Sequence, residues 1–395
     1  MQRCILLLIL AAGLVNCSQD RRQNRSYLDI HRDALVVDLH SDAVLRLMRG
    51  ADFGRRDTTG HMDIPRLREG GIDLQVMACW LSTDTPLEEC RPHVDSMIDS
   101  LDAQLNRYPD QVELCRTAAE AERIIENDKI AIFLGIENGV AIANDLDNLQ
   151  HFYDRGVRYL TLTHTASSDW CISSADTAPA FHGLTDFGRE VVRKMNELGM
   201  IVDISHASPE AVEEVLKITT DPIVASHSCV HALCPHDRNL TDDQIRAVAA
   251  DGGVIGINFF TAYLSAEWGR VSDSLWAARE PQFDSVRELY ADDRDRLREA
   301  RREIRRTIQN ELEAVPVDVG TVVDHIDYIT RLVGPDYVCF GSDFDGVYAL
   351  PSGLGDCSMV PNITQELVAR GYSEEDTRKI LGENFMRVFR QVCDN

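Results

Sequence analysis

Short apolar segments alternate with amphipathic segments along the chain from residue 34 onward. The amphipathic segments carry apolar residues at three- and four-residue spacing, as at 86–108, 185–199 and 208–218, and this spacing predicts helices. Thr185 or Asp186 is predicted to cap the second of these helices and Gly199 to end it, while Ser208 is predicted to cap the third. The apolar segments predict eight strands, at 35–40, 73–81, 129–137, 157–164, 200–206, 222–227, 253–259 and 337–343.

Eight strands that alternate with helices predict an α/β protein built as a (β/α)₈ TIM-type barrel, with a doubly wound open sheet as the alternative. Polar residues end six of these strands, namely His40, Glu137, His164, His206, His227 and Asp343. In a barrel the carboxyl ends of all strands meet at one mouth, whereas in an open sheet only the ends beside the switch point meet. The distribution of these residues therefore favours the barrel.

The predicted barrel is a single domain over residues 34–395, with a charged helical insertion at about 264–316, before the last strand. Long charge runs are usually solvated, so the insertion is predicted to be a solvent-exposed helical segment. A cover over the barrel mouth or a contact between copies is the alternative.

The first residues have the pattern of an export signal. Arg3 precedes an apolar run from residue 4 to residue 15, which is short for a transmembrane helix. We predict a signal peptide at 1–17, followed by a linker at 18–33. Small or apolar residues before Cys17 indicate a bacterial lipoprotein signal with Cys17 lipidated, although Asn16 is unusual just before such a cysteine. The expected location is a membrane-anchored lipoprotein of a bacterial cell envelope, and the alternative is a periplasmic or secreted protein.

The net charge is −25. A nucleic-acid-binding protein needs clustered Lys and Arg to replace counterions, so we predict no nucleic-acid partner.

Five of the residues at or beside strand ends have metal-ligand chemistry. His40 and Asp42 are two positions apart, so they share one face of an extended strand and can reach the same ion. Glu137 ends an apolar run, and its two oxygens can bridge two cations. Together with His206 and His227, these residues predict two zinc ions per chain that share Glu137, with manganese, cobalt or iron as alternative metals.

Further polar residues of the predicted mouth suit catalysis and substrate binding. His164 is positioned to polarise a substrate carbonyl. Asp343 and Asp345 share a face, and either could move the proton of a metal-bound water. Arg238 could hold a substrate carboxylate through two hydrogen bonds. Asp38 lies one step deeper on the face of His40 and is predicted to support the ligands.

Three common catalytic arrangements do not occur in this sequence. It has no GxSxG nucleophile elbow and no HExxH helix. The fourth predicted strand also has no lysine, the residue that bridges two metals in many barrels of this kind. Glu137 is therefore the predicted bridge.

Eight segments follow one another between about residues 34 and 390, namely VVDLHSD, GIENG, LTLTH, GLTDFGREVVRKMNELGMIVDISHAS, ASHS, RNLTDD, GSDFDG and GENFMRVF. Through these segments the sequence resembles the membrane (renal) dipeptidase family of zinc peptidases, within the metal-dependent hydrolase superfamily. The charged insertion is longer than in the mammalian members, and no apolar segment at the carboxyl end suggests an anchor there.

The resemblance implies a role for each site residue. It implies that His40 and Asp42 bind one zinc, that His206 and His227 bind the other, and that Glu137 bridges them. It implies that His164, Arg238, Tyr263 and Asp343 contact the substrate, and that Asp343 rather than Asp345 carries the proton.

The resemblance also implies an activity. We expect a zinc-dependent dipeptidase that cleaves dipeptides, including those with a D-residue at the C-terminal position, through a hydroxide bridging two metals. A two-metal hydrolase of another amide or lactone is the alternative enzyme, and a surface lipoprotein that binds peptides without cleaving them is the alternative from another class. The sequence leaves the oligomeric state open, with a homodimer as one possibility, and a lipid on Cys17 would provide a membrane contact.

Overall fold

Eight parallel strands close into a barrel that is surrounded by helices, as predicted. The computed structural model describes residues 25–394, so the predicted signal peptide and the lipidation site at Cys17 lie outside the described residues. Nine strands are present in this part of the chain, namely β1 Val37–Asp38, β2 Leu74–Trp80, β3 Val112–Cys115, β4 Ile130–Glu137, β5 Val157–Thr161, β6 Ile201–Asp203, β7 Val224–Ala225, β8 Val254–Ile257 and β9 Val338–Phe340. The strand order runs β2-β1-β9-β8-β7-β6-β5-β4, and pairing of β2 with β4 closes the barrel.

The strand β3 is an addition to the eight predicted strands. It pairs with the first half of β4, from residue 130 to residue 133, while β5 pairs with the second half of β4 on the same edge. The residues of β3 are buried only at its two ends, Val112 and Cys115, so the segment lacks the alternation that marks a strand.

The helices lie around the barrel and connect its strands. They are α1 Tyr27–Asp33, α2 Ala43–Met48, α3 Ile64–Glu69, α4 Leu87–Arg107, α5 Ala118–Glu126, α6 Leu146–Asp154, α7 Asp186–Leu198, α8 Pro209–Ile218, α9 Asp242–Ala250, α10 Thr261–Leu264, α11 Ala266–Leu289, α12 Arg294–Leu312, α13 Val319–Val333, α14 Pro361–Ala369, α15 Glu374–Arg378 and α16 Asn384–Cys393. The predicted caps are confirmed: Thr185 and Ser208 accept from backbone N–H groups, and Gly199 ends α7 in the left-handed conformation.

The charged insertion forms a hairpin of the two helices α11 and α12, within the range predicted for it. Only a few of its residues are buried, among them Trp268, Ile308 and Leu312. Most of the hairpin is solvent-exposed, because its apolar residues form one narrow stripe against the barrel.

The segment 18–33 was predicted to be a linker. In its described part, residues 27–33 instead form the helix α1. Ser26 and Asp29 form a capping box at its start. His31 is buried and lies 2.7 Å from the Thr364 hydroxyl of α14, so this helix packs against the barrel domain.

Among residues 25–394, no helix combines the length and the apolar character needed to cross a lipid bilayer.

Candidate metal and active site

His40 and Asp42 follow β1 and lie at the mouth of the barrel. His40 is fully buried, and its Nδ1 lies 2.8 Å from the Tyr159 hydroxyl. Tyr159 fits there because Gly135 has no side chain: a Cβ at that position would lie 2.4 Å from the Tyr159 ring. When the ring proton is on Nδ1, the Nε2 lone pair faces Glu137 Oε2 at 3.4 Å and Asp42 Oδ2 at 3.8 Å.

Glu137 is the last residue of β4 and lies at the centre of the cluster. Its Oε1 is 3.1 Å from His206 Nε2 and 3.2 Å from His227 Nε2. Burial alone would raise the pKa of this carboxyl, but His40 and His164 hold the pKa of Glu137 well below its ordinary value. Glu137 is therefore a carboxylate with each oxygen directed at histidine nitrogens.

His206 and His227 follow β6 and β7, and their Nε2 atoms are 3.0 Å apart. Burial lowers the pKa of both imidazoles well below the ordinary value. Neutral imidazole is the form that binds metals. His206 has φ +68°, a left-handed conformation that is uncommon outside glycine and clusters at functional sites.

Asp203 is a fully buried carboxylate behind His227. Its Oδ2 accepts from the Thr161 and Ser226 hydroxyls, both at 2.6 Å, and Ser226 Oγ is 2.7 Å from His227 Nδ1. Because the Ser226 proton is donated to Asp203, Ser226 Oγ accepts from His227 Nδ1, which leaves the lone pair on Nε2. The sequence reasoning missed this residue, although its position three before His206 was a usable signal.

Asp38 supports the loops of the site through hydrogen bonds to the backbone of His40 and to Ser342. It is fully buried and accepts from the Ser342 N–H at 2.8 Å and from the Ser342 hydroxyl at 2.6 Å. It also accepts from the backbone N–H of His40 at 3.4 Å. Burial raises the pKa of Asp38 to about 6. Asp38 thus connects the ends of β1 and β9.

His164 follows β5 and borders the cluster from the solvent side. Its Nε2 is 3.9 Å from Glu137 Oε1, and its ring centroid is 4.4 Å from that of His206. Trp80 packs edge-on against the ring at 5.5 Å. The imidazole is partly exposed, so it can meet a substrate that enters the mouth.

Asp343 and Asp345 follow β9, and both have positive φ, +61° and +68°. Asp343 Oδ2 accepts from the Asn258 amide at 2.9 Å, and burial raises the pKa of Asp343 to about 8. Asp345 instead binds Arg46 at 3.1 Å and the His61 N–H at 2.7 Å. The residue pattern alone could not decide which of the two acids serves the site. The structure brings Asp343 to the cluster and directs Asp345 to the neighbouring loop.

Arg238 is buried beside the cluster rather than exposed in the mouth. Its Nη1 donates to the Ser228 hydroxyl at 2.6 Å, and its Nη2 donates to the His227 carbonyl at 2.7 Å. The guanidinium carbon is 5.8 Å from the centre of the Tyr263 ring, and Nε has no hydrogen-bond partner among the described residues. Arg238 therefore holds the loop of His227 and places a positive charge behind Tyr263.

A cavity of about 400 Å³ opens over the cluster. Its polar lining includes Asp42, Glu137, His164, His206 and Asp343, and its other walls include Trp80, Phe260, Tyr263 and Tyr348. Trp80, Phe260 and Tyr348 were not predicted as part of the site, because the sequence does not indicate the direction of aromatic side chains that lie outside a motif.

The residues of the cluster fit a metal centre. Three groups have donor atoms within 4.8 Å of one another: His40 with Glu137 and His227, Glu137 with His164 and His206, and His40 with Asp42 and Asp343. His40 Nε2 and Asp42 Oδ1 are buried without a hydrogen-bond partner among the described residues, which is costly unless a cation binds them. Imidazole nitrogens with carboxylate oxygens suit zinc and related transition metals.

The comparisons with known proteins agree with this chemistry. Residues 24–395 match the family model described as membrane dipeptidase, peptidase family M19. The chain is 30% identical over 383 residues to dipeptidase 3 of Mus musculus, covering 94% of this chain and 67% of that protein.

Similar solved structures have the same fold. The probable dipeptidase PvdM of Pseudomonas aeruginosa superposes with a TM-score of 0.79 at 29% identity, covering 93% of this chain and 98% of that one. A metallopeptidase of Rhodobacter sphaeroides, solved with a phosphinate mimic of the dipeptide L-Ala-D-Ala, has a TM-score of 0.74 at 26% identity, covering 91% of this chain and 100% of that one. The resemblance seen in the sequence is confirmed: the chain belongs to the membrane dipeptidase family of metallopeptidases.

Proposed function

We propose that this chain is a zinc-dependent dipeptidase with two metal ions bridged by Glu137. The position of Glu137 carries the proposal. Its Oε1 faces the Nε2 atoms of His206 and His227 at 3.1 and 3.2 Å, and its Oε2 faces His40 Nε2 at 3.4 Å. One carboxylate with imidazole nitrogens beside both oxygens is suited to bridge two cations.

His40 and Asp42 would hold one zinc, His206 and His227 the other. When bound, the two ions would supply Lewis acidity, which lowers the pKa of water toward neutrality and would make water a nucleophile for the peptide carbonyl. His164, at the solvent edge of the cluster, donates to the carbonyl oxygen of the substrate.

Asp343 carries the proton to the leaving amine. Its carboxyl lies within 4.8 Å of donor atoms of His40 and Asp42, close enough to exchange a proton with a water molecule held there. The Asn258 amide, 2.9 Å from Asp343 Oδ2, orients the carboxyl toward the cavity. Arg238 attracts the terminal carboxylate of the substrate through its charge behind Tyr263.

The proposed substrates are dipeptides, including those with a D-residue at the C-terminal position. A cavity of about 400 Å³ lies within the range of small-molecule sites. The ligand of the Rhodobacter sphaeroides relative, a mimic of L-Ala-D-Ala, supports this substrate class.

The test is hydrolysis of a panel of L,L and L,D dipeptides by the purified protein. Dialysis against a chelator should abolish hydrolysis, and zinc should restore it. Full activity after verified metal removal would disprove the mechanism. Hydrolysis of N-acyl amides or lactones without any dipeptide cleavage would instead support the alternative two-metal hydrolase.

We propose in addition that the chain is exported and carries a lipid on Cys17, which lies outside the described residues. The support is the sequence pattern of residues 3–17. Metabolic labelling with a fatty-acid precursor should label the protein but not its Cys17→Ser variant. An unlabelled wild-type protein would contradict the proposal.

A further inference from the structure

An aromatic wall borders one side of the cavity above the metal cluster. It consists of Phe260, Tyr263 and Tyr348. The Phe260 ring packs edge-on against Tyr263, at 4.9 Å between ring centroids, and against Tyr348, at 5.1 Å. Because Phe260 lies between the other two rings, the three form a continuous apolar surface beside the polar metal ligands. Phe260 and Tyr348 take no part in the proposed proton and carbonyl chemistry.

Helix α11 of the charged insertion holds Tyr348 from behind. Trp268, Ser272 and Trp276 are four residues apart, so they share one face of this helix. The two indole rings lie 6.4 and 6.5 Å from the Tyr348 ring, and Ser272 and the Trp276 indole are hydrogen-bond partners of the Tyr348 hydroxyl. Trp268 and Ser272 are buried, so the support behind Tyr348 is firmly packed.

Tyr348 nevertheless leaves 51% of its surface exposed. Its ring lines the cavity above the metal cluster, so part of this exposed surface faces a bound substrate. A ring that is already held in place loses little conformational freedom when a ligand covers it. Covering the ring removes apolar surface from water, which favours an apolar group of the ligand. Tyr348 is thus preorganised to contact an apolar side chain.

The position of Arg238 indicates which residue of the substrate meets the aromatic wall. The Arg238 guanidinium carbon lies 5.8 Å from the centre of the Tyr263 ring, at one end of the wall. In the proposed function this charge attracts the terminal carboxylate of the dipeptide. The C-terminal residue therefore lies beside Tyr263, and its side chain lies next to Phe260 and Tyr348.

We propose that Phe260 and Tyr348 bind the side chain of the C-terminal residue and give the enzyme a preference for large apolar residues, such as leucine, at that position. This inference rests on the proposed dipeptidase function. No residue of α11 or α12 lines the cavity, so the insertion contributes to substrate selection by holding Tyr348 rather than by touching the substrate.

The test compares dipeptides whose side chains have nearly the same size but differ in polarity. kcat and KM are measured for Ala-Leu against Ala-Asn, and for Leu-Ala against Asn-Ala as the reversed pair. The proteins are the wild type, Tyr348→Ala and Tyr348→Phe. Tyr290→Ala is the matched control, because it removes a partly buried tyrosine at the end of the same helix, outside the cavity.

The wild type should prefer Ala-Leu over Ala-Asn by about tenfold in kcat/KM, the lower value expected for burying a leucine side chain. The reversed pair should differ less. Tyr348→Ala should lose most of the preference through a higher KM for Ala-Leu, with Ala-Asn cleaved as before. Tyr348→Phe should keep the preference because the ring remains, and Tyr290→Ala should behave as the wild type does.

Four outcomes overturn the inference. The first is equal cleavage of Ala-Leu and Ala-Asn by the wild type, and the second is a preference that survives Tyr348→Ala. The third is an equal loss for both substrates in Tyr348→Ala, which would leave Tyr348 a structural role only. The fourth is a preference confined to the reversed pair, which would place the N-terminal residue at the wall. If no dipeptide at all is cleaved, the proposed function itself fails, and the inference fails with it.

Discussion

Replacing Asp203 by asparagine should weaken metal binding without touching any proposed ligand. Asp203 Oδ2 accepts from the Ser226 and Thr161 hydroxyls at 2.6 Å, and Oδ1 accepts from the N–H groups of Ser226 and Ser205 at 2.9 and 3.0 Å. All four groups donate to the carboxylate, so the Ser226 proton cannot be shared with His227.

An amide at this position reverses the direction of its hydrogen bonds with the Thr161 and Ser226 hydroxyls. The asparagine oxygen must stay with the two backbone N–H groups, which can only donate, so its NH₂ group faces the two hydroxyls. Ser226 then donates to His227 Nδ1, and the proton of that ring moves to Nε2, the atom 3.2 Å from Glu137. Metal binding requires the lone pair at Nε2, and recovering it breaks a neutral hydrogen bond worth about 0.5–1.5 kcal/mol.

The expected result is a metal affinity up to about 10-fold lower for Asp203→Asn, near the lower end of what changes to the partners of metal ligands cost. The assay is competition for zinc between the purified protein and a chromophoric chelator, which measures binding independently of activity.

Asp73→Asn is the matched control for Asp203→Asn. Asp73 is also a mostly buried carboxylate, and it accepts from the Val36 N–H at 2.8 Å. It lies just before β2, at the end of the barrel remote from the metal cluster. Its asparagine variant should bind zinc as the wild type does. Unchanged affinity in Asp203→Asn, or an equal loss in both variants, would refute the reasoning.

Two further predictions concern stability and the shape of the mouth. Burial lowers the pKa of His325 from 6.5 to about 4, so this neutral histidine contributes full stability above pH 6.5 and loses it as the pH falls toward 4, by about 3 kcal/mol in all. Chemical denaturation across this range should show the loss in the wild type and a smaller one in His325→Gln; equal slopes would contradict it. A Cβ on Gly346 would lie 2.1 Å from Asp42 Oδ2 and 2.3 Å from Asp343 Oδ1, so Gly346→Ala should lower kcat/KM by about 100-fold or more. Gly355→Ala, whose Cβ would meet only Met359 Sδ at 3.9 Å, is the control, and equal activity of the two variants would show that the clash is relieved.

The parts of the fold that the sequence missed have weak local patterns. The strand β3 pairs with only half of β4 and buries only its end residues, so no alternation marks it. The helix α1 has seven residues and a capping box, but its packing partner Thr364 is 333 positions away. Such contacts form only when distant parts of the chain meet.

The sequence identified the residues of the candidate site more completely than it identified the smaller elements of the fold. A polar residue that ends an apolar run is visible in the sequence. The closed barrel then brings the strand ends together, independently of the conformation of the loops. His40, Glu137, His206 and His227 could thus be grouped from the sequence, and their Nε2 and Oε atoms lie within 3.4 Å of a partner in the cluster.

What the sequence by itself determined is the barrel and the set of side chains at its mouth, because both follow from periodicity along the chain. Only the tertiary structure decided the directions of those side chains. It separated Asp343 from Asp345 through Asn258 on one side and Arg46 on the other. It turned Arg238 inward onto the His227 carbonyl and placed Asp203 behind Ser226. Each of these outcomes depends on distances between strands and loops remote in sequence, and local periodicity contains no information about them.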